Sequence, residues 1–352
     1  MKYFELMQEK VKELQNKKDI IVLAIESSCD ETAIAIVKNG REILANSVAT
    51  QIEIHKRFGG VVPEVASRNH INCINNVLED ALCSANLTLN DLDAIAVTYG
   101  AGLMGALLVG VNFAKSLAFA TQKPLIAVNH IWGHISANYI EHKDLQPPFI
   151  CLVVSGGHTV ILNCTDYTTF EKIGSTIDDA VGECFDKVAR VLGLGYPGGP
   201  KIDKLAKNGS PTIKFLESDA LKNTYNISYS GLKTAVINYL HKKEQLGEEI
   251  DIPDICASFE RDAFTPLINK VVKATKENCL NKIVVAGGVS ANNYLREHLQ
   301  EECVKNNLNL FFPNIKLCTD NAAMIGAQAY YNLINNVGLS DLNLSAQPSL
   351  KL

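Results

Sequence analysis

The chain has 352 residues, 47% of them hydrophobic and 20% charged, with a formal net charge of −5. The composition is that of an ordinary globular protein, and the length favours two domains or lobes over a single core. The acidic balance argues against a protein that grips nucleic acid unaided, because such binders carry a basic excess. Ten cysteines are present, but none form a C-x-x-C pair and their spacing is irregular. They read as reduced thiols packed like small apolar residues, which implies a reducing compartment and a cytoplasmic protein.

In chain order, residues 1–19 place Tyr3, Met7, Val11 and Leu14 at helical spacing, with Glu5, Glu9 and Glu13 between them. This predicts an added surface helix, because the acids and the missing apolar core do not suit a signal or transit peptide. Ile20–Glu26 and Thr32–Val37 read as strands, and Asn39-Gly40 is a hairpin turn before a third strand, Glu42–Ala49. Ala94–Ala114 carries no charge, yet its four glycines, with Thr98, Tyr99 and Asn112, suit a buried strand, a glycine turn and a buried helix better than a bilayer span. No membrane segment is expected. Leu125–Val128 is a further strand running into a helix, which Gln146-Pro147-Pro148 ends near a lobe boundary.

The plan then repeats. Phe149–Val154 is a strand, Ser155-Gly156-Gly157 a tight turn and Thr159–Cys164 the next strand, so that Ser28–Thr32 falls on Ser155–Thr159. Each half closes alike: Ala94–Thr98 runs into Gly100-Ala101-Gly102 and a helix, and Ile283–Ala286 runs into Gly287-Gly288 and a helix capped by Ser290 or Asn292. The expected fold class is α/β, a two-lobed actin/sugar-kinase-type ATPase fold with duplicated βββαβα halves around a central cleft. The expected division is an N-terminal extension at 1–19, a first lobe at 20–128 with a C-terminal helix near 322–336 returning to it, a second lobe at 129–321 and a tail at 337–352.

Three glycine turns are built for close backbone approach to a ligand: Val154–Thr159, Tyr196–Pro200 and Ala286–Asn292. A glycine N–H can point straight at a phosphate, and a helix starting just afterwards adds a favourable dipole. None is a Walker A or a G-x-G-x-x-G sequence. Between them Ile177–Lys187 reads as a helix with Asp179, Glu183 and Asp186 on one face. Asp186 or Asp203 would supply the acceptors that ribose hydroxyls need.

His130 and His134 stand four apart at the start of the helix after Leu125–Val128, which puts both imidazoles on one face within reach of one ion. A zinc peptidase of the H-E-x-x-H type needs Glu beside the first His, and Ile131 stands there. Asp320 is the candidate third ligand. Two His and one carboxylate suit iron(II), with zinc and magnesium as the alternatives.

Taken in order, Glu26–Thr32, Gly59–Glu64 with Ala66-Ser67-Arg68, His130-x-x-x-His134, Val154–Thr159, Asp178–Lys187, Tyr196–Pro200, Ser230–Thr234, Ala286–Asn292 and Cys318–Asn321 resemble the TsaD family of tRNA adenosine threonylcarbamoyltransferases, formerly called glycoproteases. The likeness runs from about Ile21 to about Ala327. It implies that His130, His134 and Asp320 hold one metal ion, and that Val153, Val154, Ser155, Gly156, Gly157, Asp186, Gly199, Asp203 and Asn292 bind an adenylate. The chain departs from the family at Ala101, where proline is frequent, and at Trp132, where glutamate is frequent.

By the same resemblance the donor is threonylcarbamoyl-AMP, and the acceptor is the exocyclic amine of the adenosine 3′ of the anticodon in tRNAs that read codons beginning with A. Glu31, or Asp30 beside it, is the candidate catalytic base. The companions TsaB and TsaE are implied if the source is bacterial. The rival readings are a small-molecule kinase on the same fold, a metallopeptidase using the His pair, and a silent nucleotide-binding partner. The first is marked by phosphoryl transfer, the second lacks its base, and the third would have lost the metal ligands.

Overall fold

The computed structural model describes residues 3–215 and 221–350. Two compact units emerge: residues 1–147, 166–169 and 313–352 form the first, and residues 148–165 and 170–312 form the second.

The first unit opens with α1 (Tyr3–Leu14), followed by β1 (Ile21–Glu26), β2 (Glu31–Lys38), β3 (Glu42–Thr50), α2 (Ile52–Lys56), α3 (Pro63–Ala85), β4 (Ala94–Gly100), α4 (Met104–Thr121), β5 (Leu125–Asn129) and α5 (His130–Glu141). The second holds β6 (Phe149–Val154), β7 (Thr159–Asp166), β8 (Thr169–Ser175), α6 (Val181–Val191), α7 (Gly199–Ala206), α8 (Ser230–Leu246), α9 (Ile252–Glu277), β9 (Lys282–Ala286), α10 (Asn293–Lys305) and β10 (Asn309–Phe311). The chain then rejoins the first unit with α11 (Ala322–Ile334) and β11 (Leu339–Ser340).

The two sheets share one topology. The first runs β11-β5-β4-β1-β2-β3 and the second β10-β9-β6-β7-β8. In each the opening strand pairs antiparallel with the next and parallel with a later strand. The duplication inferred from the sequence is therefore present over five strands, β5-β4-β1-β2-β3 matching β10-β9-β6-β7-β8, with β11 added at the edge of the first sheet and a difference at the turn. Glu26 pairs with Ala33, whereas Val154 pairs with Thr159, so the first turn is the longer.

β1 is a continuous apolar run because both of its faces are covered. Val22 and Ala24 join the cluster formed with α5 and α11, while Leu23 and Ile25 join the one formed with α3 and α4. α4 is long and apolar enough to cross a membrane by length and composition. In the fold it buries Leu107, Val111, Ala114 and Ala118 in the first unit. α1 docks as well, through buried Met7 and Val11 and a Tyr3 hydroxyl that donates to the Lys123 carbonyl at 2.6 Å.

Two expectations need correction. Residues 129–147 belong to the first unit rather than to a second lobe starting at 129, and the chain returns at Pro313 rather than after 321. The cause is packing of α5 on α11, with Gly133 set against Ile325 and Met324, where a Cβ would meet Ile325 Cδ1 at 2.6 Å. In addition, α6 begins at Val181, so Asp179 precedes the helix instead of sharing its face. The backbone is held open there because Asp178 is engaged elsewhere. It accepts the Tyr229 N–H at 2.8 Å and the Ser230 hydroxyl at 2.8 Å, anchoring the start of α8.

Candidate active site

In the first unit, β5 delivers the chain into α5 with Asn129 as its cap, the side-chain oxygen accepting from Ile131 N–H at 2.9 Å. His130 and His134 then project from one face, with ring centroids 4.6 Å apart. Asp320 lies just before α11, whose first turn is capped by Asn321. Its Oδ1 is 3.5 Å from His130 Nε2 and 3.2 Å from His134 Nε2. The three candidate ligand atoms lie within 4.8 Å of one another, all inside the first unit.

Nδ1 of His134 is buried with no hydrogen-bond partner among the described residues, and Nε2 faces the Asp320 carboxylate at 3.2 Å. A buried nitrogen without a partner is costly unless something binds it. Two imidazole nitrogens and one carboxylate oxygen closing on one point fit a divalent cation of the iron or zinc type. The residues present therefore suit a metal.

The candidate base residues sit at the β1–β2 turn. Asp30 is buried and the Glu31 carboxylate accepts from the Thr50 hydroxyl at 3.2 Å. Burial pushes the Glu31 carboxyl up to about 9, and the neighbouring Asp30 and Asp320 carboxylates add to the push. The turn is braced by His70, a buried residue not singled out from the sequence. Its Nε2–H donates to the Cys29 carbonyl at 3.0 Å, and Nδ1 accepts from the Thr32 hydroxyl at 2.6 Å. Gly102 presses on the same turn from the other side: φ is +153°, and a Cβ would sit 2.6 Å from the Ser28 carbonyl oxygen.

Glu26 is the second residue that sequence reasoning passed over. It is fully buried, and its Oε2 lies 3.1 Å from His130 Nδ1. Burial would push His130 down, but the Asp320 and Glu26 carboxylates outweigh it and raise the imidazole to about 9. The signal was available as a lone charge ending a wholly apolar strand.

Trp132 lies two positions after His130 and so on a different face of α5. With Tyr99, Asn129, Leu344 and Leu350 it lines a cavity of about 390 Å³. Its departure from the family residue therefore changes that cavity, not the ligand set. Gly100 and Gly102 are both sterically required, since a Cβ on Gly100 would lie 2.2 Å from the Gln347 carbonyl, whereas buried Ala101 fits.

In the second unit, Val153 and Val154 end β6 and Ser155-Gly156-Gly157 form its turn, closed by Ser155 N–H to the His158 carbonyl at 2.8 Å. Gly287 follows β9 at φ +91°, where a Cβ would lie 2.3 Å from the Val154 carbonyl oxygen. A Cβ on Gly182 would lie 2.6 Å from the Ser155 carbonyl oxygen. Both glycine turns are thus packed against the end of β6, while Gly156, Gly157, Gly199 and Gly288 face open space.

The polar candidates all hold backbone in place. Asp186 Oδ1 accepts Gly198 N–H at 2.7 Å, and burial raises its carboxyl against the opposing pull of the Gly198 and Gly199 amides. Asp203 accepts Asn293 N–H at 3.0 Å, tying α7 to α10. Asn292 caps α10 through Leu295 N–H at 2.9 Å, and its amide donates to Glu260 Oε1 at 2.6 Å. Glu260, a buried acid on α9, is a further residue that the sequence reading did not identify.

Comparison with known proteins gives one consistent answer. Residues 42–327 match the family described as TsaD: tRNA N6-adenosine threonylcarbamoyltransferase. A protein of that name from Clostridium botulinum (strain Kyoto / Type A2) is 58% identical over 337 residues, covering 96% of this chain and 99% of that protein. One from Clostridium perfringens (strain ATCC 13124) is 57% identical over 333 residues, covering 94% and 98%. Among solved structures, the HypF of T. kodakarensis aligns with a TM-score of 0.62 at 15% identity, over 90% of this chain and 48% of that one. The Acidaminococcus fermentans (R)-2-hydroxyglutaryl-CoA dehydratase component A aligns with a TM-score of 0.53 at 15% identity, over 89% and 99%. Those two share the fold, in keeping with the actin/sugar-kinase type.

Proposed function

This chain belongs to the TsaD family, and from that membership we propose that it transfers a threonylcarbamoyl group to N6 of an adenosine in tRNA. The observation that carries the reading is identity of 57–58% across nearly the whole chain with proteins of that name. The donor in our reading is threonylcarbamoyl-AMP, and the acceptor is the adenosine 3′ of the anticodon in tRNAs reading codons that begin with A.

The adenylate half of the donor falls to the second unit. Backbone N–H groups of Gly156 and Gly157 take the phosphate, in the manner of anion-binding turns, while Ser155 and Gly199 shape the two turns around it. Val153 and Val154 end the strand that presents the first of these turns. Asp186, Asp203 and Asn292 accept or donate to the nucleoside. His130, His134 and Asp320 would hold one divalent metal, iron(II) in our reading with zinc or magnesium as alternatives. Bound there, it would supply Lewis-acid polarisation of the carbamoyl carbonyl.

In the transfer, N6 attacks the carbamoyl carbon, the bond from that carbon to the phosphate oxygen breaks, and AMP leaves with the electron pair. The proton lost from N6 goes to Glu31, or to Asp30 beside it. A base must be ionised, and part of the upward push on Glu31 comes from Asp320. Neutralising Asp320 would return Glu31 toward its carboxylate form.

With a net charge of −5, the chain needs help to hold tRNA, and TsaB and TsaE are the companions we assign to it in the cytoplasm. The test is a single-turnover reaction of metal-loaded protein with preformed threonylcarbamoyl-AMP, tRNA and those companions, read by mass spectrometry of the nucleosides. N6-threonylcarbamoyladenosine and AMP in equal amounts are expected. Donor hydrolysis without modified nucleoside would overturn the assignment.

A further inference from the structure

We propose that Glu26 is a positioning residue for the metal site: it fixes the tautomer and ring orientation of His130, so that Nε2 rather than Nδ1 is the ligand. The inference rests on the metal reading of His130, His134 and Asp320 given above.

Glu26 closes β1 in the centre of the first sheet, with no exposed surface. Isolating a carboxylate so completely is expensive unless every lone pair is engaged. Here Oε1 accepts the Ser28 N–H at 2.5 Å, and Oε2 accepts the Thr98 hydroxyl at 2.5 Å. The remaining partner is His130, whose Nδ1 lies 3.1 Å from Oε2. Among the described residues it is the one ion-pair partner Glu26 has.

An ionised carboxylate can only accept, so Nδ1 must carry a hydrogen. In the neutral imidazole that leaves the lone pair on Nε2, the atom that faces Asp320 Oδ1 at 3.5 Å. The Ser28 hydroxyl is 3.2 Å from the same Nδ1, but a hydroxyl can donate as readily as accept and so does not choose a tautomer. Only the carboxylate does. The donors are also fixed by backbone: Ser28 belongs to the β1–β2 turn, Thr98 to β4 beside β1, and His130 to the first turn of α5. Charge matches as well, since Glu26 and Asp320 together bring two negative charges to a site suited to a divalent cation.

The experiment measures affinity for the metal alone. Zinc binding to apo protein is titrated by calorimetry with a competing chelator, for the wild type, Glu26→Gln and Ser28→Ala. Glu26→Gln preserves shape, but its amide can donate to Nδ1 and drive the proton onto Nε2. Removing such an outer partner typically costs about 10–100-fold in metal affinity. That loss is expected for Glu26→Gln, with Ser28→Ala within about threefold of wild type. Because a buried substitution can compromise folding, a second measurement uses the wild type only. Nitrogen-15 spectra of histidine-labelled, zinc-loaded protein should show His130 protonated at Nδ1 and metal-bound at Nε2. Wild-type affinity in a folded Glu26→Gln protein, or a metal-bound Nδ1, overturns the proposal. Absence of zinc binding by the wild type overturns the metal reading itself, and this inference with it.

Discussion

Replacing Glu260 with glutamine should make the protein more stable above neutral pH and leave it almost unchanged in acid. Glu260 is 2% exposed, and its Oε1 accepts from the Asn292 amide at 2.6 Å. Burial pushes its carboxyl up to about 7, the Asn292 hydrogen bond pulls the other way, and nearby Asp203 adds to the rise while Lys207 opposes it. A carboxyl raised above its unfolded value favours folding while protonated, and that contribution is lost as pH climbs from 4.5 through about 7. At about 1.4 kcal/mol per pH unit, the interval corresponds to roughly 3 kcal/mol. Water reaching the carboxylate would reduce this, so the expected difference at pH 8 is about 1–3 kcal/mol. Glutamine keeps an acceptor for Asn292 and removes the charge. Urea unfolding followed by far-ultraviolet circular dichroism at pH 5 and pH 8, on both proteins, reads the difference directly. If the wild type and Glu260→Gln lose the same stability between those pH values, Glu260 is not ionising in a buried site and the reasoning fails.

The two histidines should respond differently to removal. His134→Ala should abolish stoichiometric metal, measured by elemental analysis, with a smaller loss of apo stability than His130→Ala, because its Nε2 faces the partly exposed Asp320 carboxylate rather than a fully buried one. His130→Ala should abolish metal as well, but destabilise apo protein by about 3–5 kcal/mol by stranding the buried Glu26 carboxylate; equal unfolding midpoints would contradict this. Asp186→Ala should weaken AMP binding in calorimetry by about 1.5–3 kcal/mol, the worth of a charge-assisted hydrogen bond. Unchanged affinity would return Asp186 to holding Gly198 alone. Finally, the isolated chain should bind AMP and metal yet modify tRNA slowly, with companions restoring a transfer that falls steeply as salt rises. Rapid, salt-insensitive modification by this chain alone would put the tRNA surface on the wrong protein.

Much of this was legible before any coordinates, because period and spacing are local. β1 and β2 were found within a residue or two because burial gives them long apolar runs, and β3 because Asn39-Gly40, with positive φ at both positions, marks the hairpin turn before it. The His130–His134 spacing announced its own geometry. The domain boundary was missed because it depends on α5 meeting α11, two segments separated by the entire second unit. Asp179 was misplaced for a related reason. The break before α6 is set by Asp178 capping α8, a partner some fifty residues away that no helical periodicity reports. Glu260, His70 and Glu26 were overlooked because each works through a tertiary partner.

The acids of the first unit also bear on how the net charge should be read. Glu26, Asp30, Glu31 and Asp320 come from two distant stretches of sequence, and all act on the surroundings of the β1–β2 turn and α5. Their mutual repulsion is visible in Glu31, held near 9 partly by Asp30 and Asp320. In Glu26 the pull of His130 outweighs burial and lowers the carboxyl. Like charges gathered in a buried corner oppose folding unless something of opposite sign belongs there. A divalent cation on His130, His134 and Asp320 is of the right sign and size. Such an ion, once bound, would offset part of the acidic balance, and what then faced an RNA would be less negative than the sequence total suggests. With the ion in place, the bare sum of charges would overstate the repulsion that tRNA meets.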